Sequence, residues 1–584
     1  MALLGCATIV PVSAMVDSCS AQPVTGLCID GSWVQVYNRT NFGDCCEHCM
    51  LNAGCEAFEL IPDASDQSST CYLKRGWVNV TNPNRTDCTV GYVKGLNIPS
   101  PSLPPRPPIK VAPTGAKNIL FIPVDDMRPS IGTYNFSLVH TPNMDRLATQ
   151  GLRFDNAYVQ YAYCAPSRNS FMSGRRPDTT KVPVQRLHLS SSNSLDRDNT
   201  SQHPRVWNFI NHFRQHDVGA SWFSLPEYFK QNGYLALGGG KLYHPNVPPQ
   251  NDFPYSWTPE YPYYPNEPAN LNHTCLEQFP SNDLTYCVAD VDKDDVILED
   301  QQIMSNCLAH LQIAKNESGN RPFFIGCGLH KPHVPWIVPK AFFDMIPPWE
   351  EVPAALDPWA PVDMPLPAWH PAADVHGLSY GFNGTCNETI SKWYRRAYYA
   401  AVSYQDYNIG KTNSTGKNTR VLAEMVDIYP TLAELAGLPA PQEQGQDLNG
   451  TSLATIFDDP SQMNLKPAAF SQFGKGFPFP LTRVLGEVKI SNFSVTSVFL
   501  RNSTEIMGYT IRVRDWRYTC WFGFDNETVS VRRTDILGRE LYDHRGDMGL
   551  YLDWPGENIN VVDYEEHAEV VAQLHQQLLD YIRL

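Results

Sequence analysis

A chain of 584 residues exceeds what a single hydrophobic core organises, so two or three domains are expected. Hydrophobic residues make up 42% of it and its mean hydropathy is -0.33, with no uninterrupted apolar run near the ~20 residues that a membrane span requires. A net charge of -16 and a pI near 5.4 argue against a general nucleic-acid binder, which carries a basic stripe, so a polyanionic substrate would have to meet a local basic pocket.

Residues 1–14, "MALLGCATIVPVSA", form a short apolar stretch ending in Val-Ser-Ala, as a secretory signal does, yet they lack the usual basic start. More than a dozen Asn-x-Ser/Thr sequons, from Asn38 to Asn526, favour the secretory route, lysosomal or extracellular. Nine of the 16 cysteines precede residue 90 (Cys6, Cys19, Cys28, Cys45, Cys46, Cys49, Cys55, Cys71 and Cys88), the density of a disulfide scaffold in an oxidising compartment. The block "NFGDCCEHCMLNAGCEAFEL", followed by "STCYLKR" and "VGYVKG", resembles the PAN/apple family. That resemblance implies a disulfide-rich module over 28–95 with a protein or carbohydrate ligand, and a stapled spacer without ligand is the other reading. A zinc site is disfavoured because only His48 lies among these cysteines. The proline-rich "NIPSPSLPPRPPIKVAPT" then reads as a stiff, extended linker over 96–116.

Next, "KNILFIPVDDMRPS" predicts a buried strand, Ile119 to Val124, ending in Asp125 and Asp126. Alone, such a pair reads as a helix cap or an Asx-turn. At the carboxyl end of a strand in an open α/β sheet it stands where ligands bind. Two adjacent acids need a cation, a shared proton or backbone donors, and oxygen-only ligands favour calcium or magnesium. Further on, "YAYCAPSRNSFMSGRRPD" places Cys164 before Ala-Pro-Ser-Arg. An arbitrary cysteine there is a small core residue or half of a disulfide. The spacing is not that of a cysteine phosphatase, because Ser170 stands where the arginine is needed.

The string Cys-x-Pro-Ser-Arg with "SGRRP" resembles the signature of the sulfatase family, in which the cysteine is oxidised to formylglycine by a dedicated modifying enzyme. The resemblance implies a hydrated aldehyde whose one hydroxyl attacks sulfur. Loss of a proton from the other then expels sulfate and restores the aldehyde. It also implies one divalent cation, Ca2+, on Asp125, Asp126 and residue 164, with Arg168 holding residue 164. "LPEYFKQNGYLALGGGKLYHP", "PYSW", "GLHKPHVPW", "VDIYPTLAELAGL" and "IMGYTIRVRDWRYTCWFGF" extend the resemblance, towards the iduronate-2-sulfatase branch, through most of residues 117–550. Carried over, Lys241, His244 and His333 face the sulfate and the leaving oxygen, types suited to a fixed charge and to proton movement. His330 is expected to support them, and Cys275 to pair with Cys287.

Two departures stand out. A polar stretch, "VQRLHLSSSNSLDRDNTSQHPR", reads as an inserted surface loop. After "AYYAAVSYQDYNIGK", the family pattern runs through a helix, a strand ending in Asp-His-Gly and a lysine-bearing loop, whereas here "TNSTGKNTRVLAEMVDIYPT" follows at once. The resemblance implies that this gap, near 411–421, removes a central strand, further cation ligands and a sulfate-binding lysine.

At the carboxyl end, "MGYTIRVRDWRYTCWFGF" alternates as an antiparallel strand pair, and "GRELYDH" reads as a further strand. Val570, Leu574, Leu578 and Ile582 repeat every four residues as one helical face. The expected architecture is an alkaline-phosphatase-like α/β mixed sheet flanked by helices over 117–480, a small antiparallel subdomain over 481–584, and the PAN/apple-like module in front. The expected function is hydrolysis of sulfate esters, 2-O-sulfate on uronate residues of sulfated glycans. The alternatives are a phosphodiesterase of the same superfamily, which would carry serine or threonine at 164, and a secreted, non-catalytic glycan- or protein-binding relative.

Overall fold

The structure, a computed structural model, describes residues 105–180, 212–265, 275–369, 385–476, 504–549 and 554–583, apart from short stretches within them, and the backbone of five strands between residues 24 and 92. Those strands, β1 (Val24–Thr25), β2 (Cys28–Thr40), β3 (Ala57–Pro62), β4 (Ser69–Val80) and β5 (Thr89–Tyr92), form an antiparallel sheet in the order β1-β5-β3-β4-β2. The segment 1–14, the cysteine pairings of the amino-terminal module, residues 96–104, the polar loop at 184–205 and the junction at 412–416 lie outside the described residues.

The core is α/β with mixed sheets. Three parallel strands, β6 (Ile119–Phe121), β8 (Leu235–Gly240) and β11 (Phe323–Gly328), lie in the order β6-β11-β8. Between β6 and β8 in the chain comes β7 (Leu152–Tyr158), which pairs in parallel with β13 (Lys417–Glu424) as a separate two-stranded sheet. A third sheet orders β9 (Cys275–Gln278), β10 (Tyr286–Ala289) and β12 (Trp336–Pro339) as β12-β10-β9. β8 and β11 are continuous apolar and glycine runs, as suits strands covered on both faces. The strand expected from Ile119 to Val124 is paired only as far as Phe121. Pro123 has no N–H for the ladder, and pairing resumes as a single bridge, Val124 to Leu329.

Around the sheets run α1 (Pro142–Gln150), α2 (Cys164–Ser173), α3 (Leu225–Gln231), α4 (Glu299–Glu317), α5 (Glu388–Ile409) and α6 (Ile428–Leu435). Ser224 caps α3 with a reciprocal box to Glu227, which fixes where that helix starts. The main core joins Phe171 and Met172 of α2, Tyr228 and Phe229 of α3, Phe324 of β11 and Tyr429 of α6. Cys275 and Cys287 are bonded as expected, and a second bridge, Cys307 to Cys327, ties α4 to β11. The described part of the proline-rich linker is docked on this core. Arg106 pairs with buried Glu227 at 2.6 Å, and the Lys110 N–H donates to Gln231 O at 2.9 Å.

The carboxyl-terminal sheet runs β14 (Ala469–Gly476), β15 (Thr504–Arg512), β16 (Trp516–Asp525) and β17 (Ser530–Asp543), each antiparallel to the next. It therefore begins before residue 481. Helix α7 (Ala568–Arg583) packs on it through Val571, Leu574, Leu578 and Ile582, while Val570 is only partly buried. The true 3.6-residue period brings position 571 onto the face in place of 570.

Candidate active site

The carboxyl end of β6 delivers the acids. The Asp125 N–H donates to Leu329 O at 3.2 Å, which sets Asp125 inward and buried, while Asp126, at φ 55°, turns outward. The Tyr398 hydroxyl pins this corner, accepting from the Arg128 N–H and donating to Asp126 O, both at 2.8 Å.

Cys164 is the first residue of α2, whose other described side chains are largely buried. Its position puts residue 164 at the positive end of a helix dipole, favourable for a bound anion. Arg168, one turn on, shares that face. The sequence expects Arg168 to hold residue 164. Its guanidinium instead donates to Asp125 Oδ1 at 2.8 Å, to Leu242 O at 3.3 Å and to Lys241 O, so it positions the acid and the Lys241 loop.

Lys241 follows β8 through a close backbone approach. Its N–H donates to Gly328 O at 2.7 Å, and a Cβ on Gly328 would lie 2.2 Å from the Lys241 carbonyl carbon, so only glycine fits there. Its Nζ lies 2.5 Å from Asp125 Oδ2. That oxygen has no partner in hydrogen-bond geometry, so the Lys241 contact is an ion pair by distance. Three residues on, His244 Nδ1 stands 3.6 Å from Cys164 Sγ. His333 Nε2 lies 3.9 Å from Asp126 Oδ2, and the His333 and His330 rings stack at 4.7 Å.

The charges explain the protonation states. Burial alone would raise the Asp125 pKa, but Arg168 and Lys241 outweigh it and hold the carboxyl well below the ordinary carboxylate range. Burial, then the Asp125 charge, raises Asp126. Burial, with the two aspartates adding to it, pushes the Cys164 thiol up to about 11, and burial with Lys241 and Arg168 pushes His244 down to about 3. At neutral pH a protonated thiol therefore faces a neutral imidazole. A thiol so protonated is a poor thiolate nucleophile at neutral pH.

The loop "HKPH" is held by acids that the sequence did not single out. Asp300 accepts the N–H of His330 at 2.7 Å and of Lys331 at 3.1 Å, and Glu299 accepts from the His330 ring. An acid pair at a helix start reads locally as a cap, and only the fold turns it towards the loop. His330 is thus more than a spectator. The trio expected to bind the cation was Asp125, Asp126 and Cys164, whereas the donors that converge within 4.8 Å of one another are Asp125, His330 and His333. The two adjacent carboxylates, where burial and then mutual repulsion raise Asp126, are of the type that holds a divalent cation. The two carboxylates alone fall short of the roughly 6–8 oxygens that calcium takes.

A family model described as Sulfatase matches residues 117–419. Iduronate 2-sulfatase of Mus musculus is 29% identical across 79% of this chain and 93% of its own length, and that of Homo sapiens 28% across 76% and 93%. A sulfatase of Formosa agariphila is 28% identical across 55% of this chain and 70% of its own. Among solved structures, a phosphonate monoester hydrolase from Agrobacterium radiobacter superposes with a TM-score of 0.51 at 15% identity, covering 80% of this chain and 95% of that one. That likeness shows the fold alone, and it agrees with the alkaline-phosphatase-like α/β core. No helix among the described residues is long and apolar enough to cross a membrane.

Proposed function

Because the chain belongs to the sulfatase family, we propose that it hydrolyses sulfate esters of sulfated glycans, 2-O-sulfate on uronate residues in particular, with residue 164 acting as formylglycine. The observation that carries this reading is the convergence of Cys164, Lys241, His244 and His333 around Asp125, with residue 164 at a helix amino terminus. These side chains come from four separate segments, and their agreement at one corner favours catalysis over a non-catalytic binding role. The sequons and the cysteine-rich amino-terminal part support the secretory route, where the formylglycine-generating enzyme acts.

A divalent cation held by Asp125 and Asp126 would supply charge neutralisation at the sulfate and acidify the nucleophilic hydroxyl. The chain's own groups do the rest. Lys241 offers a fixed positive charge to a sulfate oxygen, and Arg168 keeps Asp125 and the Lys241 loop in register. His244, next to residue 164, is placed to take the proton of the hydroxyl left after sulfuryl transfer. His333, facing Asp126, is placed at the leaving oxygen. Both imidazoles are neutral in the substrate-free site, and the negative charge of a bound sulfate ester draws their pKa values upward, towards useful proton transfer.

The test is co-expression with the modifying enzyme, followed by mass spectrometry of the tryptic peptide ending at Arg168 and an assay on an aryl sulfate. The expected result is aldehyde in place of thiol, with hydrolysis that Cys164→Ala abolishes. Thiol alone, in a host that modifies other sulfatases, or hydrolysis of phosphate esters without sulfate esters, would overturn the reading.

A further inference from the structure

A cavity of about 600 Å3 opens beside the nucleophile, between the segment that precedes Cys164 and the carboxyl-terminal sheet, with Tyr163, Lys475, Arg517, Trp521, Glu540 and Tyr542 among its lining residues. Its position relative to residue 164 is rigid, because β14 is bonded along the chain leading to α2. Ser471 Oγ donates to Val159 O at 2.6 Å, the Gln472 N–H to Gln160 O at 3.0 Å, and the Gly474 N–H to the Tyr161 hydroxyl at 2.8 Å. Lys475 is the next residue.

The charged groups in this cavity are not equivalent. Arg517 is paired with Glu557 at 2.6 Å, and Glu540 already accepts from Trp521 Nε1 at 2.7 Å and from the Tyr542 hydroxyl at 2.8 Å. Lys475 Nζ donates to Trp369 O at 2.8 Å and to Pro367 O, and lies 4.5 Å from the centroid of the Trp521 ring. Two of its three N–H donors are thereby aimed, and no ion pair forms with it among the described residues. Burial, opposed only by Glu540, lowers its pKa to about 7. Glu540, the acid that acts on it, is already engaged by Trp521 and Tyr542, so an anionic ligand beside Lys475 would supply charge that favours the ammonium form. The larger cavity, about 860 Å3 along 354–369 and 385–391, carries Asp357 and Glu388 as its charged lining and suits no anion.

We propose that the cavity is a subsite for an oxyanion of the substrate glycan other than the ester that reacts, with Lys475 as its specificity-determining residue. The shared chemistry is a singly charged oxyanion, either a sugar carboxylate or a second sulfate group. The inference rests on the sulfatase reading above. The backbone acceptors from 367 and 369 hold the ammonium in place, so its third donor faces the ligand with little rotamer entropy left to lose.

The experiment separates the inference from the reading. Binding is measured by calorimetry on the thiol form, which does not turn over, with a 2-O-sulfated uronate disaccharide, its carboxyl-reduced analogue, and that analogue carrying a second sulfate. Lys475→Met is expected to weaken binding about 10- to 100-fold, the scale of one charge-assisted hydrogen bond, and Lys475→Arg to recover part of it. A loss confined to the uronate assigns the carboxylate, and a loss confined to the doubly sulfated analogue assigns the sulfate. On the modified enzyme, the same variant should leave kcat and KM for an aryl sulfate within about twofold. Equal binding by wild type and Lys475→Met, or an equal loss on the aryl sulfate, overturns the proposal. Failure of both proteins to hydrolyse the aryl sulfate would instead count against the sulfatase reading.

Discussion

The centre is organised around one carboxylate. Asp125 is buried against two cations, while burial, aided by the two aspartates, keeps Cys164 a protonated thiol, and burial with Lys241 and Arg168 keeps His244 a neutral imidazole in the substrate-free protein. A stability consequence follows. In the unfolded chain His244 titrates near 6.5, and in the fold near 3, so between these values the unfolded state binds a proton that the folded state refuses. Stability is therefore fully present above pH 6.5 and is lost as pH falls towards 3. His330 and His333, also lowered by burial and then by neighbouring lysines, add to the trend. Asp300, raised to about 6 chiefly by burial, opposes it, because its contribution is present below 3.8 and is lost as pH rises through 6. His310 and His575 are lowered as well, and the raised Asp126, Asp406 and Asp427 side with Asp300. The lowered Asp125, Glu424, Asp543, Asp547 and Glu557 also lose stability on acidification, so Tm should fall from pH 6.5 to pH 4. His244→Gln should flatten that slope in a scanning-fluorimetry series. A Tm that rises on acidification, or a slope unchanged in the variant, contradicts this account.

At the scale of elements, α7 shows how a surface helix secures a sheet that walls the active site. Leu578 is wholly buried against β15 and β16, in a cluster with Tyr509, Tyr518 and Phe522. Leu578→Ala removes three carbons from that face and should cost about 2–5 kcal/mol, with the upper half expected because a sheet face collapses little around a void. Urea unfolding checks this, and a loss under 1 kcal/mol would mean that the helix is loosely seated. Helix α7 and the strands β15 to β17 were readable in advance because each carries its own period. The docking of the linker was not, because proline content speaks for stiffness and says nothing of the Arg106 to Glu227 pair, whose members stand 121 residues apart.

Across the whole molecule, the parallel strands fall into three groups, β6-β11-β8, β7 with β13, and β10 with β12, and among the described residues β6 and β13 each have one strand neighbour. Leu120 and Phe121 of the edge strand β6 are only partly buried. We propose that this form, whose sequence carries no Asp-His-Gly string, hydrolyses an aryl sulfate at least ~10³-fold more slowly than one with the family's Asp-His-Gly segment restored after Lys411, since each preorganised contact is worth about 10²–10³. Comparing turnover of both forms, co-expressed with the modifying enzyme, tests this, and similar rates would mean that other groups complete the site. The amino-acid sequence by itself singled out Cys164 with its Pro-Ser-Arg context and the Asp125–Asp126 pair, because chemical type and short-range spacing are written into the covalent chain, and its resemblance to the family singled out Lys241, His244 and His333; the structure brings these side chains to one corner. Only the tertiary structure decided the partners. Arg168 serves Asp125 from 43 residues away, Glu299 and Asp300 steady the histidine loop, and Lys475 comes to rest beside Trp521. Such pairings depend on where packed strands and helices place their ends, and no local pattern carries that distance.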